Sequence, residues 1–170
     1  ALPIFASWGD NVYVKIPITT TTGVSTSELS RRLSQTGVKV NVTAVMTPTQ
    51  VETAVDALFE GAGGFVSVFA GRVADTGRDP IPLIEHALRL TADAPAVRLI
   101  WASPRELLNI VQAHEVGCDV ITVTYDLLAK MQILNKDLAE FSLETVKMFH
   151  TDASVAAYSI DHAAHGDDAP

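Results

Sequence analysis

The sequence has 170 residues, of which 48% are hydrophobic and 19% are charged, and its formal net charge is −8. This length and composition fit one globular domain with a sizeable core and exclude a low-complexity chain. No run approaches the roughly 20 apolar residues of a membrane-spanning helix. No basic run is present to hold nucleic acid or an anionic membrane, so neither partner is predicted. A small phosphorylated substrate stays open, since it needs only two or three local cationic or N–H groups.

The single cysteine, Cys118, excludes an internal disulfide and predicts a reducing, cytoplasmic location. We expect one domain over residues 1–160, followed by a disordered tail at 161–170. His162 and His165 in that tail could bind a metal weakly, but we predict no metal site and no cofactor.

Five short runs rich in Val, Ile, Thr and aromatic residues predict strands, and helical patterns alternate with them. The strands are expected at 12–18, 38–46, 65–69, 97–101 and 120–124. The helices are expected at 26–36, 49–61, 80–92, 104–116, 125–132 and 138–150. Strict alternation predicts a parallel sheet with right-handed crossovers, and the near-continuous apolar strands predict burial on both faces.

Several helix ends carry recognisable signals. The capping-box spacing occurs at Ser25-x-x-Glu28, Thr47-x-x-Gln50 and Ser103-x-x-Glu106. Asp79 and Ser103 each precede a proline, as an N-cap residue often does. Gly37, Gly61 and Gly117 stand where helix C-caps are expected. Two architectures fit these elements: an open five-stranded sheet, which the length favours, and a (β/α)8 barrel, which needs about 250 residues.

Lys15 lies in an apolar strand, between Val14 and Ile16. Burial would disfavour its ammonium form, lower its pKa and leave an amine able to attack a carbonyl and form a Schiff base. The alternative is an edge-strand lysine that keeps its charge in water.

Polar side chains recur at the ends of the other strands, where barrel enzymes gather their active sites. They are Asn41, Thr43, Ser67, Phe69 followed by Arg72, and the turn Ser103–Arg105. Hydroxyl, amide and guanidinium groups suit a sugar phosphate, and a helix opening at Pro104 would offer free N–H groups to an anion. Each has an ordinary alternative: Ser103 as a helix cap, for example, or Arg72 paired with Asp75 or Asp79.

Four ordered motifs resemble transaldolase, more closely its short-chain branch and the fructose-6-phosphate aldolases. They begin at Asn11-Val12-Tyr13-Val14-Lys15-Ile16-Pro17, Val40-Asn41-Val42-Thr43, Val66-Ser67-Val68-Phe69-Ala70-Gly71-Arg72 and Ala102-Ser103-Pro104-Arg105, the last leading to Gly117-Cys118-Asp119. The resemblance covers most of residues 8–150. It implies a (β/α)8 TIM barrel, of which this chain carries about five βα units, and a homo-oligomer.

The resemblance also implies a role for each residue. Lys15 would form a Schiff base with a ketose phosphate and pass a dihydroxyacetone unit to an aldose phosphate, and Thr43 would hold the catalytic water. Substrate binding would fall to Asn41, Ser67, Phe69, Arg72, Ser103 and Arg105. A tyrosine at the position of Phe69 is typical of the aldolases, so phenylalanine favours transaldolase.

Two departures from the family stand out. Pro104 replaces a phenylalanine in the Ser-x-Arg turn, which can re-aim the turn to which the resemblance assigns phosphate binding. The family's first three strands, which carry its acid–base aspartate, are not found, so we expect the chain to be a fragment. An aldolase that adds dihydroxyacetone to an aldehyde and an inactive binding module remain alternatives.

Overall fold

The computed structural model describes residues 8–156. Five strands form one sheet in the order β1-β2-β3-β4-β5, and every neighbouring pair is parallel. The strands are β1 (Val14–Pro17), β2 (Val40–Val45), β3 (Gly64–Val68), β4 (Val97–Trp101) and β5 (Val120–Ile121). All five lie where the sequence predicts them, and each pairs with the next strand along the chain.

Helices fill the crossovers between the strands. They are α1 (Ser27–Gln35), α2 (Pro48–Leu58), α3 (Ala70–Ala74), α4 (Ile81–Ala92), α5 (Leu108–Glu115), α6 (Tyr125–Ala129) and α7 (Leu138–Val155), with a 3-10 turn at Lys130–Ile133. The five-residue helix α3 was not predicted. Its sequence, Ala-Gly-Arg-Val-Ala, is too short for a helical period to be read.

The core lies between the sheet and the helices. Val40 on β2, Val66 on β3, and Leu99 and Trp101 on β4 are all 0% exposed. The β-branched and aromatic side chains that predicted the strands therefore supply the face on which the helices pack.

The prediction of burial on both faces is wrong for β1. Val14 and Ile16 are buried, whereas Lys15 and Pro17 are exposed. β1 forms one edge of the described sheet, so the side chains on its exposed face have strand neighbours on one side only.

The capping box predicted at α2 is confirmed. The Thr47 hydroxyl accepts a hydrogen bond from the Gln50 N–H at 3.3 Å, and the Gln50 side chain accepts one from the Thr47 N–H at 3.2 Å. These bonds satisfy N–H groups that the first helical turn leaves without partners.

Replacing Thr47 with alanine should therefore lower the free energy of unfolding by about 1 kcal/mol. Urea unfolding monitored by circular dichroism measures this loss. Thr49→Ala is the matched control, because Thr49 is exposed on the same helical turn and its hydroxyl has no hydrogen-bond partner among residues 8–156. Equal losses in the two variants would contradict the capping role.

Two other helix-end predictions, at Ser25 and Gly61, are wrong. Helix α1 starts at Ser27 with Thr26 as its N-cap, so Ser25 does not close a capping box. Gly37 and Gly117 follow helices and have the positive φ angles expected there. Gly61 does not have a positive φ angle, and Phe59 is the C-cap residue of α2. Gly61 is instead needed for close approach, because an added Cβ would lie 2.6 Å from the Ser34 Cβ.

The chain divides into two compact units, one ending at Met131 and one starting at Gln132. In the second unit, Asp137 caps α7 by accepting from the Glu140 N–H, and none of the helix residues is buried. The single domain expected over 1–160 stays a prediction, and the tail at 161–170 lies outside the described residues. None of the helices within residues 8–156 is long and apolar enough to cross a membrane.

Candidate active site

Predicted site residues from β1 and β2 meet on the sheet face opposite the core. Lys15 is the direct parallel partner of Asn41, and Pro17 is the partner of Thr43. Neighbouring strands run about 4.8 Å apart, so the Lys15 and Asn41 side chains leave adjacent backbone positions. Phe65 continues the row on β3, where it is the partner of Asn41.

Lys15 is exposed, so the prediction of a buried lysine is wrong for this chain. Its neighbours on the same face, Tyr13 and Pro17, are exposed as well. Within residues 8–156 no carboxylate pairs with Lys15.

Asn41 is held by Ser67 from the neighbouring strand. The Ser67 hydroxyl donates a hydrogen bond of 2.8 Å to the Asn41 Oδ1, and Ser67 is only 2% exposed. Because the amide oxygen is engaged, the amide nitrogen is the group that Asn41 offers to a ligand. Ser67 therefore fixes the orientation of Asn41, a role that its sequence position alone did not indicate.

Thr43 lies where β2 is irregular. The register against β3 shifts between Val42 and Val45, and Ala44 adopts a φ of 62°. Thr43 is 7% exposed, and its hydroxyl has no hydrogen-bond partner within the described part of the chain. Since a buried hydroxyl without a partner costs about 1–3 kcal/mol, Thr43 is ready to accept or donate a bond to a small molecule.

A second set of predicted residues follows the strand ends. Phe69 is the N-cap residue of α3, and the guanidinium carbon of Arg72 lies 5.4 Å from the centre of its ring. This distance is within the range of a cation–π contact. No carboxylate of residues 8–156 forms an ion pair with Arg72, so its charge stays available to an anion.

The turn after β4 differs from its prediction. Ser103 has a φ of 63° and does not cap a helix, because α5 starts only at Leu108. The Asn109 side-chain oxygen accepts hydrogen bonds from the N–H groups of Arg105 and Glu106, at 2.7 and 3.2 Å. These N–H groups are therefore occupied, and the predicted anion site at a helix opening at Pro104 is not formed.

Arg105 forms an ion pair with Asp75, which the sequence suggested as a partner of Arg72. Its Nε lies 3.1 Å from both Asp75 carboxylate oxygens, and its Nη2 lies 2.5 Å from Oδ2. The alternatives for Arg72 are thus wrong, since Asp75 pairs with Arg105 and the Asp79 carboxylate accepts from the Ile81 N–H at 2.9 Å.

The fold thus assembles the predicted residues in two groups. One group lies on the sheet and contains Lys15, Asn41, Thr43 and Ser67; the other follows the strand ends and contains Phe69, Arg72, Ser103 and Arg105. Sequence reasoning missed Asp75 and Asn109, which organise the second group. Their spacing was the only sign of them in the sequence: Asp75 lies three positions after Arg72, and Asn109 lies four positions after Arg105. The roles of all eight predicted residues remain predictions.

The described residues also form a cavity apart from the predicted site residues, but no metal site. A cavity of about 400 Å³ opens beside Val97 and Arg98 at the start of β4 and contains none of the predicted site residues. Residues 8–156 hold no group of three His, Cys, Asp or Glu side chains able to bind a metal.

Cys118 is half-buried, and burial raises the pKa of its thiol above the ordinary value. Burial penalises the thiolate, so the folded state loses stability as the pH rises from the unfolded pKa through the higher folded pKa. Iodoacetamide should therefore alkylate folded Cys118 more slowly than the unfolded chain, with a pH midpoint at higher pH. A folded midpoint at or below that measured in concentrated guanidinium chloride would contradict this assignment.

Comparison with known proteins decides the family. A family model described as "Transaldolase/Fructose-6-phosphate aldolase" matches residues 1–168. The chain belongs to the transaldolase/fructose-6-phosphate aldolase family. This confirms the resemblance found in the sequence. It also confirms the fold class, since the family is a TIM barrel and five parallel strands in an open sheet are consistent with part of such a barrel.

Curated relatives agree with the family. A protein of Nitrosopumilus maritimus named "Probable transaldolase" is 33% identical over 139 residues, covering 81% of this chain and 58% of that protein. A second protein named "Probable transaldolase", from Maridesulfovibrio salexigens, is 32% identical over 148 residues. The match covers 84% of this chain and 65% of that protein. A third, from Streptococcus equi subsp. zooepidemicus, is 37% identical over 128 residues. The match covers 74% of this chain and 56% of that protein. The chain therefore spans between 56% and 65% of the length of these relatives.

Proposed function

We propose that the full-length protein is a transaldolase of carbohydrate metabolism that acts in the cytoplasm. It transfers a dihydroxyacetone unit from a ketose phosphate to an aldose phosphate through a Schiff base on Lys15. The observation that carries the proposal is the row on the sheet face, where Lys15 is the register partner of Asn41 and Asn41 is held by Ser67. Relatives named transaldolase support the reaction class.

The chemistry begins with the Lys15 amine attacking the ketose carbonyl, which loses water to form an imine. Cleavage of the neighbouring C–C bond releases an aldose phosphate and leaves the C3 unit on Lys15 as an enamine. The enamine carbon then forms a new C–C bond with the acceptor aldehyde, and water hydrolyses the imine. The Asn41 amide nitrogen can donate a hydrogen bond to a hydroxyl of the ketose phosphate. The Thr43 hydroxyl can hold the water that hydrolyses the imine.

Substrate phosphate is assigned to the second group of residues. Arg72 is exposed and has no carboxylate partner within residues 8–156, which suits it to bind a dianion. Arg105 and the Ser103 hydroxyl follow the neighbouring strand and complete a binding site for the phosphate of donor or acceptor.

Borohydride trapping tests the proposal. Incubation of the full-length protein with fructose 6-phosphate and borohydride should reduce the imine and leave a C3 adduct, which peptide mass spectrometry should locate on Lys15. A protein that turns over without any adduct on Lys15 would sink the mechanism. Product analysis with and without an acceptor aldose phosphate separates transfer from simple aldol cleavage.

A catalytically inactive sugar-phosphate binding module is the second candidate. The exposure of Lys15 favours it, because a Schiff-base lysine usually lies in an apolar site that excludes water. Such a module would bind fructose 6-phosphate in a calorimetric titration and give no adduct with borohydride.

A further inference from the structure

Helix α3 is seated directly on the turn after β4. The Gly71 N–H points to the Ala102 carbonyl at 3.5 Å. A Cβ on Gly71 would lie 2.7 Å from the Ser103 carbonyl carbon and 3.2 Å from the Arg105 Cγ. This close approach brings the end of α3, where Asp75 is the C-cap residue, against the Arg105 side chain.

The Asp75 carboxylate occupies one edge of the Arg105 guanidinium, the one formed by Nε and Nη2. The same edge is one that a phosphate would bind in a two-point contact. Both side chains are about half exposed, at 48% and 49%, so the pair can open without leaving a buried charge behind.

The two arginines of this region are therefore unequal. Arg72 contacts the Phe69 ring and has no acidic partner within the described residues, whereas Arg105 is neutralised by Asp75. An anion that approaches Arg105 must either displace a carboxylate or bind beside its negative charge. Coulomb repulsion at this distance weakens binding in both cases.

We propose that Asp75 is a positioning residue that sets the phosphate affinity of this site by competing with substrate phosphate for Arg105. It lowers the affinity of the site for a phosphate dianion, so that Arg72 makes the main charge contact. This inference rests on the proposed function, because it assigns the substrate phosphate to the same group of residues.

Inorganic phosphate is a suitable probe, because its binding does not require the Schiff-base chemistry. In the full-length protein, Asp75→Asn should bind inorganic phosphate about threefold to fivefold more tightly by isothermal titration calorimetry. Asparagine keeps the size and the hydrogen-bonding oxygen of aspartate but removes its charge. The KM for a phosphorylated acceptor should fall by a similar factor, with little change in kcat.

Asp56→Asn is the matched control. Asp56 pairs with Arg31 at 2.7 Å on the helices α1 and α2, so this variant changes the net charge equally and breaks a similar exposed pair. Its phosphate affinity should equal that of the unmodified protein. In an Arg105→Gln background, Asp75→Asn should lose its effect, since no guanidinium remains for the carboxylate to occupy.

Unchanged or weaker phosphate binding in Asp75→Asn, with the melting temperature preserved, would overturn the proposal. So would an equal gain in Asp56→Asn, or a gain that persists in the Arg105→Gln background. Tighter phosphate binding together with no borohydride adduct on Lys15 would refute the transaldolase mechanism and support the role of Asp75.

Discussion

Replacing Lys15 with methionine in the full-length protein is expected to reduce kcat for C3 transfer by more than about a thousandfold. Methionine keeps the length of the side chain but cannot form an imine, so the covalent route is lost. The adduct after treatment with borohydride should disappear as well. Because Lys15 is exposed on an edge strand, its replacement should leave the melting temperature nearly unchanged.

Lys39→Met provides the comparison for this variant. Lys39 lies just before β2, and its ammonium group donates to the Asp10 carbonyl at 2.6 Å and lies 5.7 Å from the centre of the Tyr13 ring. It should keep the kcat of the unmodified protein and the adduct. Activity that survives in Lys15→Met, or is lost equally in Lys39→Met, would show that Lys15 is not the nucleophile.

Gly71→Ala should weaken the binding of inorganic phosphate by about twofold to threefold. The loss of about tenfold expected when one hydrogen bond to a charged group is broken exceeds the gain of about threefold to fivefold expected when Arg105 is released from Asp75. The added Cβ would collide with the Ser103 carbonyl, so α3 and the turn must separate. Arg72 on α3 and Ser103 in the turn then lose their relative placement. The free energy of unfolding should also fall by about 1–3 kcal/mol, a loss typical of overpacking. Phosphate titration and urea unfolding measure the two effects.

Gly61→Ala separates the local effect from a general loss of stability. Its Cβ would collide with Ser34 on α1, among residues assigned no part in phosphate binding. We expect a comparable loss in the free energy of unfolding with unchanged phosphate affinity. Equal losses of phosphate affinity in the two variants would remove the special role of Gly71.

The strands could be located from the sequence because each is a short run of β-branched and aromatic residues between turn signals. Val97–Trp101 matches its predicted bounds, and the capping box at Thr47 fixed the start of α2. Such signals act over a few residues, so local sequence is enough to read them. The family and its barrel fold were recognised from ordered motifs along most of the chain.

The errors arose where distant residues decide the structure. Lys15 has apolar neighbours in sequence, but its exposure depends on what lies across the sheet face, which no local pattern reports. Ser103 and Pro104 have the composition of a helix start, yet the Asn109 side chain bonds the backbone there and α5 begins later. The Asp75–Arg105 pair joins residues from two crossovers, so spacing along the chain could not predict it.

The order of the strands has a consequence for how this sheet forms. Every strand pairs with its successor in the chain, one crossover away. Each pairing therefore closes a single crossover, so the paired residues are closer in sequence than they would be if non-consecutive strands were neighbours. The sheet can therefore grow progressively during synthesis, one strand at a time, with each finished strand serving as the template for the next.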